Sequence, residues 1–188
     1  MLSRLPTLKE KTCAQCGTQF RPFSSTSRVC SPICASKWVR ASNRLEREQF
    51  KARKEAVATI KQLIAKTQTA FNAYIRARDA GKNCICCGQP FEPMKPGGSV
   101  DAGHWRSRGA APQLRFDEAN VHAQRKNCNR PGGAKAGPFR AGMIERVGIA
   151  EVERLEADNT VRKWTRTELI AIRAQYVEKL KELKRSRG

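Results

Sequence analysis

Residues Asp101 to Arg130 read DAGHWRSRGAAPQLRFDEANVHAQRKNCNR, and this stretch holds both histidines of the chain, His104 and His122. Around them stand Asp101, Asn120, Asn129, one cysteine, Cys128, and the basic residues Arg106, Arg108, Arg115, Arg125, Lys126 and Arg130. Histidine is the side chain best placed to take a proton at neutral pH, and carboxylate, carboxamide and imidazole groups are suitable ligands for Mg2+ or a transition metal. The order His, Asn, then a polar ligand just beyond a cysteine matches a one-metal phosphodiesterase site. A single histidine beside a tryptophan is more often a packing residue, and it is the company of Asp101, Asn120 and Asn129 that favours chemistry. The segment SVDAGHW can form a strand into such a site, and EANVHA reads as a second short element.

Working outward, the chain carries eight cysteines. In a reducing compartment they read as thiolate metal ligands rather than disulfides. Cys13 and Cys16 form a C-x2-C pair and Cys30 and Cys34 a C-x3-C pair, thirteen residues apart, which is a complete tetrahedral set for one structural zinc. Cys84 and Cys87 form another C-x2-C, with Cys128 far downstream. The partner position three residues before Cys128 is Arg125, whose guanidinium cannot be deprotonated and so cannot ligate zinc. Three natural ligands remain, with Cys86 or a water as the candidate fourth; Cys86 adjoins Cys87, and adjacent cysteines rarely both reach one metal without backbone strain, so weak zinc or none is expected at this second set.

The chain has 188 residues, with 37 Lys and Arg against 17 Asp and Glu, a formal net charge of +20. Such a charge repels itself unless a polyanion is the partner, and nucleic acid is the default. No run of about 18 apolar residues exists to span a membrane, and the start, MLSRLPTLKEKTC, lacks the apolar core of a secretory signal. A soluble, cytoplasmic protein is expected. At 39% hydrophobic and 6% aromatic residues, one large core is not expected either.

The expected fold is α+β and mostly helical. Residues 1–36 form the zinc finger. Residues 37–80, rich in Ala, Arg, Lys and Glu, form one basic helix or two, the second half placing Ile60, Leu63, Ile64, Thr67, Phe71, Tyr74 and Ile75 on one apolar stripe. Residues 81–136 hold most of the glycines and prolines and form turns and short strands. Residues 137–188 are helical again, with stripes Phe139, Met143, Ile144, Val147 and Ile149, Val152, Leu155. TRTE, Thr165 to Glu168, is a capping box opening a last helix.

The motifs DAGHW, AAPQLRF, NVHAQ and CNR, with CICCG ahead of them, closely resemble the NinG recombination proteins of lambdoid phages, a family placed among the HNH, or His-Me finger, endonucleases. The resemblance spans nearly the whole chain. It implies a ββα-metal core over 81–136 and a metal-dependent endonuclease in the phage's bacterial host, acting on branched recombination DNA such as Holliday junctions and D-loops. His104 would be the general base, and Asn120 would orient the loop that carries it. Asp101 and Asn129 would hold Mg2+ or Mn2+, and His122 would be a metal ligand or phosphate contact. Cys84, Cys87 and Cys128 would staple the core with zinc, and the six basic residues of the central stretch would neutralise DNA phosphates. Cutting both strands of a symmetric junction favours a homodimer.

Two departures stand out. Arg125 occupies a slot where the family usually has cysteine, and RPGGAK follows CN where the family usually has a His-containing basic turn. They favour an alternative, a non-catalytic DNA-binding recombination-accessory protein on a degenerate scaffold. A zinc-finger protein that binds only other proteins would leave the charge unexplained.

Overall fold

The computed structural model describes residues 8–92, 98–133 and 135–187 and divides into two units, 1–58 and 59–188. In the first, β1 (Lys11–Thr12) pairs antiparallel with β2 (Gln19–Phe20), and α1 (Pro32–Ala56) follows. Two signals start α1. The Ser31 hydroxyl accepts the N–H of Cys34 at 3.2 Å, and Pro32 sits in the first turn, where a missing N–H costs nothing. The helix therefore begins inside the cysteine finger, earlier than the boundary expected at residue 37, and Cys34 lies in its first turn. None of its described side chains is buried, as its alternation of basic residues requires.

The second unit opens with α2 (Ile60–Arg78), so the expected helical stretch 37–80 is two helices parted at 57–59. Thr59 and Gln62 form a full capping box at the new start. The apolar stripe buries Leu63, Thr67, Phe71 and Ile75, while Ile60 at its head stays exposed. This face packs on α5 (Arg166–Arg185), whose N-terminus is the Thr165–Glu168 capping box read from the sequence. The contact is aromatic: Phe71 lies edge-on to Tyr176 at 4.7 Å and to Phe116 at 5.7 Å between ring centroids, and Phe116 stacks edge-on to Trp164 at 5.1 Å.

The opposite end of α2 touches a two-stranded antiparallel sheet, β3 (Val100–His104) with β4 (Val121–Arg125), in which Val100 faces Arg125 and His104 faces Val121. A long connection, 105–120, joins the strands and includes a short 3-10 turn at Pro112–Leu114. The helix that a ββα-metal core would place directly after β4 is not there. Lys126 to Gly133 run in turns, and the next helix, α3 (Ala136–Val147), starts well past Asn129 and is followed by α4 (Ile149–Ala157). Gly132, Gly133 and Pro131 in this segment are poor helix formers, which accounts for the difference. The fold is α+β, with five helices and two small sheets among the described residues.

α3 and α4 build a second core. Phe139, Met143, Val152 and Leu155 close over Cys84, Ile85, Cys86, Ala111 and Leu114. Trp105 packs edge-on to Phe139 at 5.3 Å, so it is a core anchor. α3 approaches so closely that a Cβ at Gly142 would stand 1.8 Å from the Ile85 carbonyl oxygen. Only glycine fits there.

Candidate active site

β3 ends at His104, and the ring lines a polar cleft of about 360 Å³ together with Asn72, Arg76, Asp101, Ala102, Ser107, Arg108 and Asn129. The structure thus brings Asp101, His104 and Asn129 to one place. Asn129 donates from Nδ2 to the Asp101 carboxylate at 3.1 Å, which turns the carboxylate and the amide toward each other across the turn that follows β4. His104 Nε2 lies 3.1 Å from the Arg115 carbonyl oxygen. A carbonyl only accepts, so Nε2 carries the proton and Nδ1 is left as the basic nitrogen of the neutral ring. Burial is the main force holding the imidazole neutral; with the nearby guanidiniums of Arg108 and Arg115, it outweighs the Arg115 carbonyl and pushes the pKa down to about 4.

Asn120 is fully buried behind this site. Its Oδ1 accepts the N–H of Arg106 at 2.8 Å, and its Nδ2 donates to the carbonyls of Arg106 and Leu114, both at 3.1 Å. These bonds pin both ends of the loop that leaves His104. Asn120 is not among the residues that line the cleft.

His122 is placed differently from the metal ligand or phosphate contact expected of it. It is buried and pairs in register with Gly103. Its Nε2 donates to the Ala119 carbonyl at 2.9 Å, and its Nδ1 accepts from Arg78 at 3.1 Å. Both ring nitrogens are thereby engaged, and neither is open to a metal. The network continues into Asp79, whose buried carboxylate takes two bonds from Arg78 at 2.9 Å, one from Lys82 and the N–H of Ala123 at 2.9 Å. Burial opposes ionisation there, but the Arg78 guanidinium and the Ala123 N–H prevail and hold the carboxyl far below the usual carboxylate range.

The six basic residues of the central stretch divide. Arg108 is exposed at the cleft, and Arg130 is exposed on an adjoining one lined by His104, Asn129 and Lys135. Arg115 is partly buried and reaches Gln68 and the Arg108 carbonyl. Arg125 pairs with Glu92 at 2.8 Å. Lys126 is half-buried and lines a different cavity with Arg125 and Asn127. Arg106 departs furthest from a phosphate contact: its Nη1 donates to the carbonyls of Leu155, Glu156 and Asp158, closing the C-terminus of α4. Arg76 and Asn72, from the polar face of α2, join the cleft instead. Nothing local to them in the sequence points at His104; only the packing of α2 on the β3–β4 sheet does.

The cysteines gather into two groups, Cys13, Cys16, Cys30 and Cys34, and Cys84, Cys86, Cys87 and Cys128, with the sulfurs of each group within 4.8 Å of one another. Each can hold a metal ion. The first group is the one expected from the spacing. In the second, the fourth member is Cys86, whose adjacency to Cys87 does not keep its sulfur from the group. Residues 85–87 form a turn, which brings the neighbouring sulfurs of Cys86 and Cys87 round to one centre. Position 125 contributes its backbone, donating N–H to Cys84 Sγ at 3.2 Å. Burial raises the Cys84 thiol, but the N–H groups of Arg125, Cys86 and Cys87 outweigh it and bring the thiol down to about 7. No described helix is long and apolar enough to cross a membrane.

Comparison with known proteins shows the family of the chain. Residues 6–186 match the family model described as Bacteriophage Lambda NinG protein. The chain is 37% identical over 193 residues to protein ninG of Salmonella phage P22, covering 93% of each. It is 34% identical to protein ninG of Escherichia phage lambda, over 93% of this chain and 92% of that one. It is 39% identical to that of Escherichia phage 933W, over 76% and 68% respectively. No solved structure matches.

Proposed function

The chain belongs to the NinG family, and from that premise we propose that it is a metal-dependent endonuclease that hydrolyses phosphodiester bonds in branched recombination DNA. The observation that carries this reading is the neutral His104 ring in the same cleft as the Asp101–Asn129 pair. With Nε2–H anchored on the Arg115 carbonyl, Nδ1 is set to take the proton of a water attacking phosphorus. Asn120 acts through the loop it pins, as a positioning residue.

The donor set fits a hard divalent cation. One carboxylate and one carboxamide oxygen suit Mg2+ or Mn2+, since Mg2+ keeps several waters and takes one or two carboxylates alongside substrate phosphate. When bound by Asp101 and Asn129, the ion supplies Lewis-acid stabilisation of charge on the phosphate and the leaving 3′ oxygen. Arg108 and Arg76, both exposed at the cleft, would hold the flanking phosphates. Affinity would then come from backbone charge and selectivity from DNA shape.

A second reading is a protein that binds branched DNA without cutting it. Asn129 sits on a turn rather than on a helix, and Asp101 is the one carboxylate among the described residues lining the cleft. The two readings separate in one experiment, in which labelled junction, duplex and single-stranded DNA are incubated with the protein and its His104→Ala variant in Mg2+, Mn2+ or chelator. The nuclease reading expects metal-dependent nicking of branched substrates, lost on His104→Ala by at least a hundredfold with binding retained. Absence of nicking with either metal on every substrate leaves the binding reading.

A further inference from the structure

We infer that Cys84, Cys86, Cys87 and Cys128 form a complete structural zinc site in which Cys86 has taken the place of a ligand at position 125. The inference is independent of the cleavage chemistry proposed above. In a tetrahedral tetrathiolate site with metal–sulfur bonds near 2.3 Å, sulfurs stand about 3.8 Å apart. Cys84 Sγ and Cys86 Sγ are 3.6 Å apart. The same spacing separates Cys16 from Cys30 and Cys30 from Cys34 in the N-terminal finger, where spacing alone already indicates zinc. The two groups thus share the sulfur spacing of a tetrathiolate site, with all four sulfurs of each within 4.8 Å of one another.

Cys86 is buried in the second core, and its sulfur also carries a contact of the kind that metal ligands have. The Gln124 side chain is buried, and its Nε2 donates to Cys86 Sγ at 3.4 Å and to the Cys128 carbonyl at 3.2 Å. A donor aimed at sulfur favours a thiolate, and outer contacts of this kind orient first ligands in metal sites. Gln124 reaches the sulfurs by crossing over Gly103, where a Cβ would stand 1.9 Å from its Oε1. The position thus depends on the glycine next to His104. The Ile85 N–H donates to the Ala123 carbonyl at 3.2 Å, docking the cysteine turn onto β4. Arg125 meanwhile reaches Glu92 with its guanidinium, which also lies against Cys87 as a charge partner rather than a ligand, and places its N–H on Cys84. A cysteine there would start from backbone already in contact with the cluster.

Elemental analysis of the purified chain tests this. The wild type is expected to hold two zinc ions, Cys86→Ser one, and the double variant Cys86→Ser with Arg125→Cys two again. A wild type with one zinc, or a Cys86→Ser variant that keeps two, overturns the ligand role of Cys86. A double variant that stays at one overturns the exchange between positions 86 and 125. Should Cys86→Ser fail to fold, the cobalt-substituted wild type decides. Its thiolate-to-cobalt absorption is expected to account for all eight cysteines, and an intensity matching seven bonds would overturn the assignment.

Discussion

At the scale of single residues, the protonation state of His104 is the most exposed point of the nuclease reading. A free histidine ionises near 6.5, whereas burial and two guanidiniums hold this one near 4. Because the charged form is the one disfavoured, the ring stays an available base as pH falls below 6.5 and is lost only on approaching 4. The expected acid limb of kcat/KM for cleavage therefore lies below pH 5.5, measured under excess metal. A limb centred near 6.5 would mean that the ring is solvated and that the cleft is not its resting place. Asp101, His104 and Asn129 were legible in the sequence because short motifs flank two paired strands. His122 was not. It shares a motif with Asn120, and only strand register shows that its nitrogens face Ala119 and Arg78. Cys86 was visible as a possible fourth ligand but discounted for a related reason: adjacency argues against shared ligation in an extended chain, and the turn at 85–87 removes that argument.

At the scale of elements, helix starts and apolar faces were readable, since capping boxes at Thr59 and Thr165 and stripes at three- and four-residue steps are local signals. What joins the elements was not local. α2 is fastened to β4 at one point, where Asp79 accepts the Ala123 N–H and Arg78 donates to the carbonyls of Glu118 and Val121. This joint sets where Arg76 and Asn72 stand relative to His104. Asp79 is fully buried, so removing its charge takes away the carboxylate shared by Arg78, Lys82 and Arg146 and orphans a backbone donor. Asp79→Ala is expected to lower unfolding free energy by about 3–5 kcal/mol, read by urea denaturation. A loss under about 1 kcal/mol would show that the ion pair behaves as a surface pair and that α2 is held by its aromatic face alone.

For the whole molecule the governing quantity is a net charge of +20, carried differently in the two units. In 59–188 much of the basic charge is neutralised or structural: Arg106 closes α4, Arg125, Arg140 and Arg154 sit in ion pairs, and Lys179 meets Glu118. In 1–58, α1 presents Lys37, Arg40, Arg44, Arg47, Lys51, Arg53 and Lys54 with no described side chain buried. Charge that is solvated contributes through counterion release, so affinity for DNA should fall linearly on a log–log plot against salt, by about 0.9 per neutralised phosphate. The two units should then separate by readout. Replacing Arg40, Arg44 and Arg47 of α1 with Gln is expected to flatten the salt slope by about 2–3, measured by fluorescence anisotropy, while leaving the single-turnover cleavage rate at saturating protein unchanged. Replacing Arg76 and Arg108 is expected to flatten the slope less and to slow that rate at least tenfold, because those side chains stand at His104. If the α1 variant slows cleavage at saturation as much as the cleft variant, α1 contributes to the chemical step and not to affinity alone. A slope that is flat in the wild type would remove DNA phosphate as the partner of this charge.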